Sequence, residues 1–188
     1  FFFHLENFSI LFTILCIFTL VNSLNLADGI NGLATGLIFF WLIYINQIYE
    51  NNLDLIIGVI LINLTLSFIH NYSGKHFLGD AGSLMLSSFI AFLIIYLHNE
   101  NIDLPNHTNS AENILIIFLV PILDMIRLFF ERLLNKKNPS TADNNHLHHY
   151  LIYKYSKKRA LLSYFIFVNT PILISLNSNI NKFYIIGI

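Results

Sequence analysis

The sequence predicts an all-α fold: a polytopic transmembrane helix bundle with six full spans and a truncated seventh. Three observations predict it. The chain is 55% hydrophobic and 11% charged, with a mean hydropathy of +0.64, whereas a soluble domain carries roughly 25% charged residues. Its apolar residues come in unbroken blocks close to the roughly 20 residues that a helix needs to cross a hydrocarbon core. The blocks lack the period-2 alternation of a membrane barrel, although their Phe and Ile content would also suit buried strands.

In chain order the spans run about Phe8–Leu24, Leu33–Tyr49, Leu53–Ile69, Ser83–His98, Asn113–Phe130 and Leu161–Leu176, with a truncated span from Phe183. Several are short for a crossing, so flanking residues must complete them. The whole chain, residues 1–188, reads as one membrane domain. It begins at Phe1 inside an apolar run and ends at Ile188 inside another, which we take as the mark of an internal piece of a longer protein. The single cysteine, Cys16, lies in an apolar stretch and is expected to pack as a small hydrophobe.

Spans of alternating direction sort the loops into two sets. One set comprises residues 25–32, 70–82 and 131–160, and the other comprises 50–52, 99–112 and 177–182. Of the 10 Lys and Arg residues, only Lys182 belongs to the second set; the other nine, including Lys75, Arg132 and Lys154, lie in the first set or at its helix ends. The positive-inside rule therefore places the first set in the cytoplasm. The opposite loops hold Glu50, Asp54, Glu100, Asp103 and Glu112.

Three polar constellations fall on the cytoplasmic side. The first is Asn-Leu-Ala-Asp-Gly-Ile-Asn-Gly-Leu-Ala, from Asn25 to Ala34. Its Asn25, Asp28 and Asn31 are spaced by three, so a continued helix would set them on one face, and its glycines permit close backbone approach to a ligand. A polar helix end with glycine turns fits the same residues. The second is Phe-Leu-Gly-Asp-Ala-Gly-Ser, from Phe77 to Ser83. Asp80 between two glycines suits a hard cation such as Mg²⁺, which takes one or two protein oxygens and leaves the rest to phosphates and water. A helix N-cap formed by Asp80 or Ser83 is the alternative, and both readings can hold together.

The third is the basic stretch from Arg132 to His149, in which Pro139-Ser-Thr-Ala-Asp143-Asn-Asn precedes His146-Leu-His148-His149. Three histidines could ligate zinc, but no Cys accompanies them. Beside Lys137 and Arg132 they better suit a pocket for phosphate oxygens; a solvated basic loop near anionic headgroups is the plainer alternative. Asp124 and Arg127, at i,i+3, read as a local ion pair. A cation site, glycine-permitted approach and a phosphate-binding loop on one membrane face suit transfer of a phosphoryl-linked group to a lipid. A cation transporter or channel would need ionisable residues at mid-span, whereas Asn63 and Thr65 are the main polar residues there.

The three motifs, in this order, resemble signatures of the polyprenyl-phosphate N-acetylhexosamine-1-phosphate transferases, and the resemblance covers most of the chain. It implies an Mg²⁺-dependent reaction in which polyprenyl (undecaprenyl) phosphate attacks the sugar-side phosphorus of a UDP-N-acetylhexosamine and UMP leaves. By position, it implies Asn25 and Asp80 as Mg²⁺ ligands, Asn31 reading the uracil edge, Phe77 stacking on the base, and Asp28 orienting that loop. It implies that His146, His148 and His149, with Lys137, hold the diphosphate or sugar; Asp80 and the three histidines are then the catalytic set. The His-x-His-His form resembles the branch that uses UDP-N-acetylglucosamine or a related sugar, while the branch using the UDP-muramoyl peptide shows three consecutive histidines.

The expected setting is the bacterial inner membrane, with a cytoplasmic active site that initiates cell-envelope polysaccharide synthesis. The partners are the lipid bilayer and the two substrates, with room for a homodimer and none expected for nucleic acid. Three departures stand out. The family's paired-aspartate motif, upstream of the first motif, is absent, so the 188-residue piece alone is expected to be inactive. Asn31 stands where many bacterial members have Asp. Asn144 stands where an Arg is common.

Overall fold

The computed structural model describes residues 9–49, 53–100, 111–138 and 145–177. Asp143, Asn144, the outer loop 101–110, Lys182 and the truncated span from Phe183 lie outside the described residues.

Within them are seven helices: α1 (Ser9–Ala27), α2 (Leu33–Ile48), α3 (Asp54–Tyr72), α4 (Gly79–Glu100), α5 (Ala111–Leu134), α6 (Leu147–Lys154) and α7 (Lys157–Asn177). Six of them match the six predicted spans, and the described residues contain no strand. Helix is the expected form for long apolar blocks, because in lipid every backbone N–H and C=O must find its partner within the segment. Five helices are long and apolar enough to cross a membrane: α1, α3, α4, α5 and α7.

The second predicted span differs from the rest. With 16 residues, α2 reaches only about 24 Å. It is buried along most of its length, with Leu33, Ile38, Trp41, Leu42 and Ile45 fully enclosed. α1, α3, α4 and α7 all contact it. It is apolar all round because protein rather than lipid surrounds it. Trp41 packs edge-on against Phe118 of α5 at 4.6 Å between ring centroids.

The outer helices turn their apolar residues outward. Ile10, Leu11, Ile14, Leu15 and Phe18 of α1 and Leu55, Val59, Ile62 and Leu66 of α3 are exposed, the surface expected where lipid is the solvent. Cys16 belongs to this exposed apolar face of α1. Asn63 and Thr65 satisfy themselves within α3, donating to the carbonyls of Val59 and Leu61 at 2.8 Å each.

Two further boundaries are corrected. α1 ends at Ala27, so Asn25, Asp28 and Asn31 do not share one helical face; the chain breaks at Asp28 and turns through Asn31 and Gly32. Gly32 takes φ +90°, a left-handed conformation that favours glycine. The basic segment 131–160 is not one loop either. α6 forms in it, packed on α7, with its own Leu151 buried.

Candidate functional site

The site is assembled where α1, α3, α4, α5 and α6 meet at one end of the bundle; hydrogen bonds join the first motif to the second, and the histidine segment is bonded to α5 and packs on the first motif through His148. Asn25, in the last turn of α1, accepts a hydrogen bond from Ser83 Oγ of α4 at 2.5 Å, which joins the first motif to the second. Asn71, buried at the end of α3, accepts from the Gly32 N–H and donates to the His76 carbonyl at 2.9 Å. One amide thus locks the turn of the first motif to the loop that leads into the second.

Asp80 lies in the first turn of α4 and is exposed. Asp28, just past α1, is half-buried. Burial pushes the Asp28 carboxyl up to about 6; the Ala34 N–H pulls it back in part and the Asp80 charge pushes it further up. The two carboxylates are therefore close enough to repel one another. With the Asn25 carbonyl they make a set of hard oxygen donors.

His148 packs against the first motif at Gly29. A Cβ added at Gly29 would stand 1.9 Å from His148 Nε2, so the imidazole lies directly on the glycine backbone, and only glycine leaves it that space. His148 is 1% exposed, and both of its ring nitrogens lack a hydrogen-bond partner. Burial lowers its pKa to about 4, with His149 and His146 adding to the effect and Asp124 opposing it. It is neutral at pH 7, with one donor and one acceptor left to offer. His146 stacks parallel to it at 5.5 Å, and His149 tilts against it at 4.1 Å.

Asn31 is exposed at the rim and lines a pocket of about 270 Å³ with Gly29, Ile30, Tyr72, Ser73, Gly74, Ile152 and Lys157. The two remaining predicted residues are less engaged. Phe77 is 80% exposed, its ring free to receive a ligand, and it is not among the residues lining that pocket. Lys137 follows the end of α5, with its N–H on the Arg132 carbonyl at 2.8 Å; its exposed side chain forms no hydrogen bond or ion pair with another described residue.

The glycosyl transferase family 4 model matches residues 1–98, the stretch that carries the first two motifs. The chain belongs to that family. Among its relatives, the protein of Bacillus subtilis (strain 168) named "Probable undecaprenyl-phosphate N-acetylglucosaminyl 1-phosphate transferase" is 34% identical over 145 residues, 74% of this chain and 39% of the relative. The "Undecaprenyl-phosphate alpha-N-acetylglucosaminyl 1-phosphate transferase" of Escherichia coli (strain K12) is 29% identical over 157 residues, 79% of this chain and 42% of the relative. The Yersinia pestis protein of the same name is 28% identical over 160 residues. The chain thus spans about two fifths of the length of these relatives. No solved structure matches it.

In this family 4 chain, the residue that sequence reasoning undervalued is Asp124. Read as half of a local ion pair, it does pair with Arg127 at 2.9 Å. It also lies inside the span Glu112–Leu134, so ionisable groups are not confined to the span ends. There it is buried and bonded to His146 Nδ1 at 3.2 Å and to the Leu147 N–H at 3.1 Å. Spacing alone could not reveal this, since 22 residues separate Asp124 from His146. Asn71 and Lys157 were missed, and Ser83 was read as a helix cap rather than as the partner of Asn25, for the same reason: their partners or pocket neighbours are distant in sequence.

Proposed function

We propose that the protein carrying this chain transfers an N-acetylhexosamine-1-phosphate, with N-acetylglucosamine-1-phosphate the favoured unit, from a UDP-sugar to undecaprenyl phosphate. The observation that carries this reading is the convergence of an oxygen-donor floor and a histidine roof at one end of a membrane bundle. The names of the relatives, with undecaprenyl phosphate as acceptor and N-acetylglucosaminyl 1-phosphate as the group transferred, support this reading. The charge asymmetry of the loops argues that this end faces the cytoplasm of the bacterial inner membrane, where nucleotide sugars are available.

Asn25 and Asp80, joined by Asp28, would hold Mg²⁺. The described residues contain no cluster of three or more His, Cys, Asp or Glu suited to a metal, so an ion held here would take few protein oxygens and rely on phosphate and water for the rest. Half-burial of Asp28 beside Asp80 leaves negative charge that a cation would relieve. When bound, the ion supplies charge neutralisation between the phosphates.

The chain's own residues do the rest. Asn31 and the Tyr72–Gly74 side of the pocket receive the nucleoside, and the exposed Phe77 ring, outside the pocket lining, would have to swing toward the base to stack on it. The neutral His148 donates one hydrogen bond to a phosphate oxygen, which gives its orphaned nitrogen a partner. His146 and His149 bound the same oxygens, with Lys137 at the edge. An oxygen of the lipid phosphate bonds to the sugar-side phosphorus as the bond from that phosphorus to the UMP oxygen breaks. The electron pair leaves with UMP. Held donors act most strongly where charge builds on the equatorial oxygens.

The test is UMP release from UDP-N-acetylglucosamine and undecaprenyl phosphate by the full-length protein in detergent, with and without Mg²⁺. Lipid-dependent, Mg²⁺-dependent release is expected. Release that ignores the lipid, or is equal in a chelator, would overturn the reading.

A further inference from the structure

The mechanism above leaves one buried carboxylate without a role at the substrate. Asp124 is 8% exposed, and its two oxygens face donors on every side that the structure shows. Oδ1 accepts from Arg127 Nη2 at 2.9 Å and from the Leu147 N–H at 3.1 Å; Oδ2 lies 3.2 Å from His146 Nδ1 and 3.1 Å from the same Leu147 N–H. Arg127 extends the clamp, donating to the Asn145 carbonyl at 2.5 Å and to Glu131 at 3.0 Å. The start of the histidine segment is thus pinned to α5 by one carboxylate and one guanidinium.

A carboxylate has only lone pairs to offer, so His146 Nδ1 must carry a proton to bond with it. Which nitrogen of a histidine is left for other chemistry is set by the bond that the other nitrogen makes. We propose that Asp124 is a positioning residue that holds His146 as its Nδ1–H tautomer and leaves Nε2 as the one ring nitrogen available to a ligand. The ring plane is fixed by the same bond and by the parallel stack on His148. The proposal rests on the transferase reading only for its effect on turnover; the tautomer follows from the geometry alone.

Asp124→Asn separates these contributions. The shape is kept, but the amide brings an N–H pair into a site where the Arg127 and Leu147 groups can only donate. Of the groups bonded to Asp124, the one able to become an acceptor is His146, by moving its proton to Nε2. ¹⁵N-histidine NMR of the full-length protein in nanodiscs reads this directly, with the His146 signals assigned by their loss in His146→Gln. At pH 8 the wild type is expected to show a protonated Nδ1 and a bare Nε2, and Asp124→Asn the reverse. Arg127→Gln, which weakens the clamp without altering the carboxylate, should keep the wild-type tautomer.

In turnover, Asp124→Asn should lower kcat by roughly 10- to 100-fold, the usual effect of losing an outer partner of a functional histidine, with KM for the UDP-sugar little changed. An Nε2–H tautomer in the wild type overturns the proposal, and that measurement stands even if the variant fails to fold. So does a drop in kcat with no change of tautomer, which would mark a purely structural role, or a tautomer flip that leaves kcat intact. A wild type that shows the Nδ1–H form but no transferase activity would instead refute the functional reading and leave the tautomer assignment standing.

Discussion

The floor and the roof of the site are held in opposite ways. On the floor, neighbouring helices grip the neutral groups, while Asp80 is left open and Asp28 meets the Ala34 N–H of the helix that follows it. Ser83 holds Asn25 and Asn71 holds the Gly32 N–H, while Asp80 is exposed and Asp28 is half-buried. On the roof the acid itself is the clamp: Asp124 is buried under His146 and Leu147, and the unsatisfied groups are the two nitrogens of His148. The floor thus offers oxygens suited to a cation, and the neutral His148 of the roof offers a donor suited to a phosphate oxygen. A metal-bound diphosphate answers both.

The comparison breaks most visibly at Asp80. Asp80→Asn in the full-length protein should lower Mg²⁺-dependent transfer by roughly 10³-fold with expression unchanged, read as UMP release; a variant of near wild-type rate would remove Asp80 from the floor. Gly29→Ala comes next, because its methyl group would enter the His148 ring. It should destabilise the protein by about 1–3 kcal/mol as an overpacking change and cut turnover as the roof lifts. Gly58 in α3 is the control, since a Cβ there meets nothing within 4 Å; Gly58→Ala should instead leave the fold unchanged or stabilise it by about 0.5–1 kcal/mol. Thermal denaturation in detergent compares the two.

His148 sharpens the contrast through pH. Its proton is taken up near pH 4 in the folded chain and near 6.5 in a free histidine. As pH falls through that window the unfolded state binds the proton first, so stability conferred by the neutral ring is lost between about 6.5 and 4 and levels off below. His148→Gln should lose less stability than the wild type over the same interval; identical pH profiles would show that the ring is not buried as a neutral group. The smallest effects belong to the rim. Phe77→Ala should raise KM for the UDP-sugar by a few-fold at constant kcat, consistent with about 0.5–1.5 kcal/mol of stacking, and Lys137→Ala should change it less.

Much of this was legible before any coordinates. Unbroken apolar blocks without period-2 alternation favour helices in lipid, and the described parts of the three motifs gather at one end of the bundle. What escaped were pairings set by packing rather than spacing. The i,i+3 rule placed Asn25, Asp28 and Asn31 on one face, but glycine at 29 and 32 let the chain leave the helix after Ala27. The same rule matched Asp124 to Arg127, and nothing local announces that the carboxylate also reaches His146. Nor could hydropathy distinguish α2, enclosed by protein, from helices that face lipid, because both surroundings select the same residues.

The most direct test of the convergence uses two cysteines on a background from which Cys16 and any others have been removed. Asn31→Cys and Lys157→Cys place one probe in the first motif and one at the start of α7, on the walls of the same pocket. An impermeant thiol reagent applied to inside-out vesicles should label both, and UMP should protect both together. Labelling of either from the opposite face, or protection of one but not the other, would contradict a single cytoplasmic site.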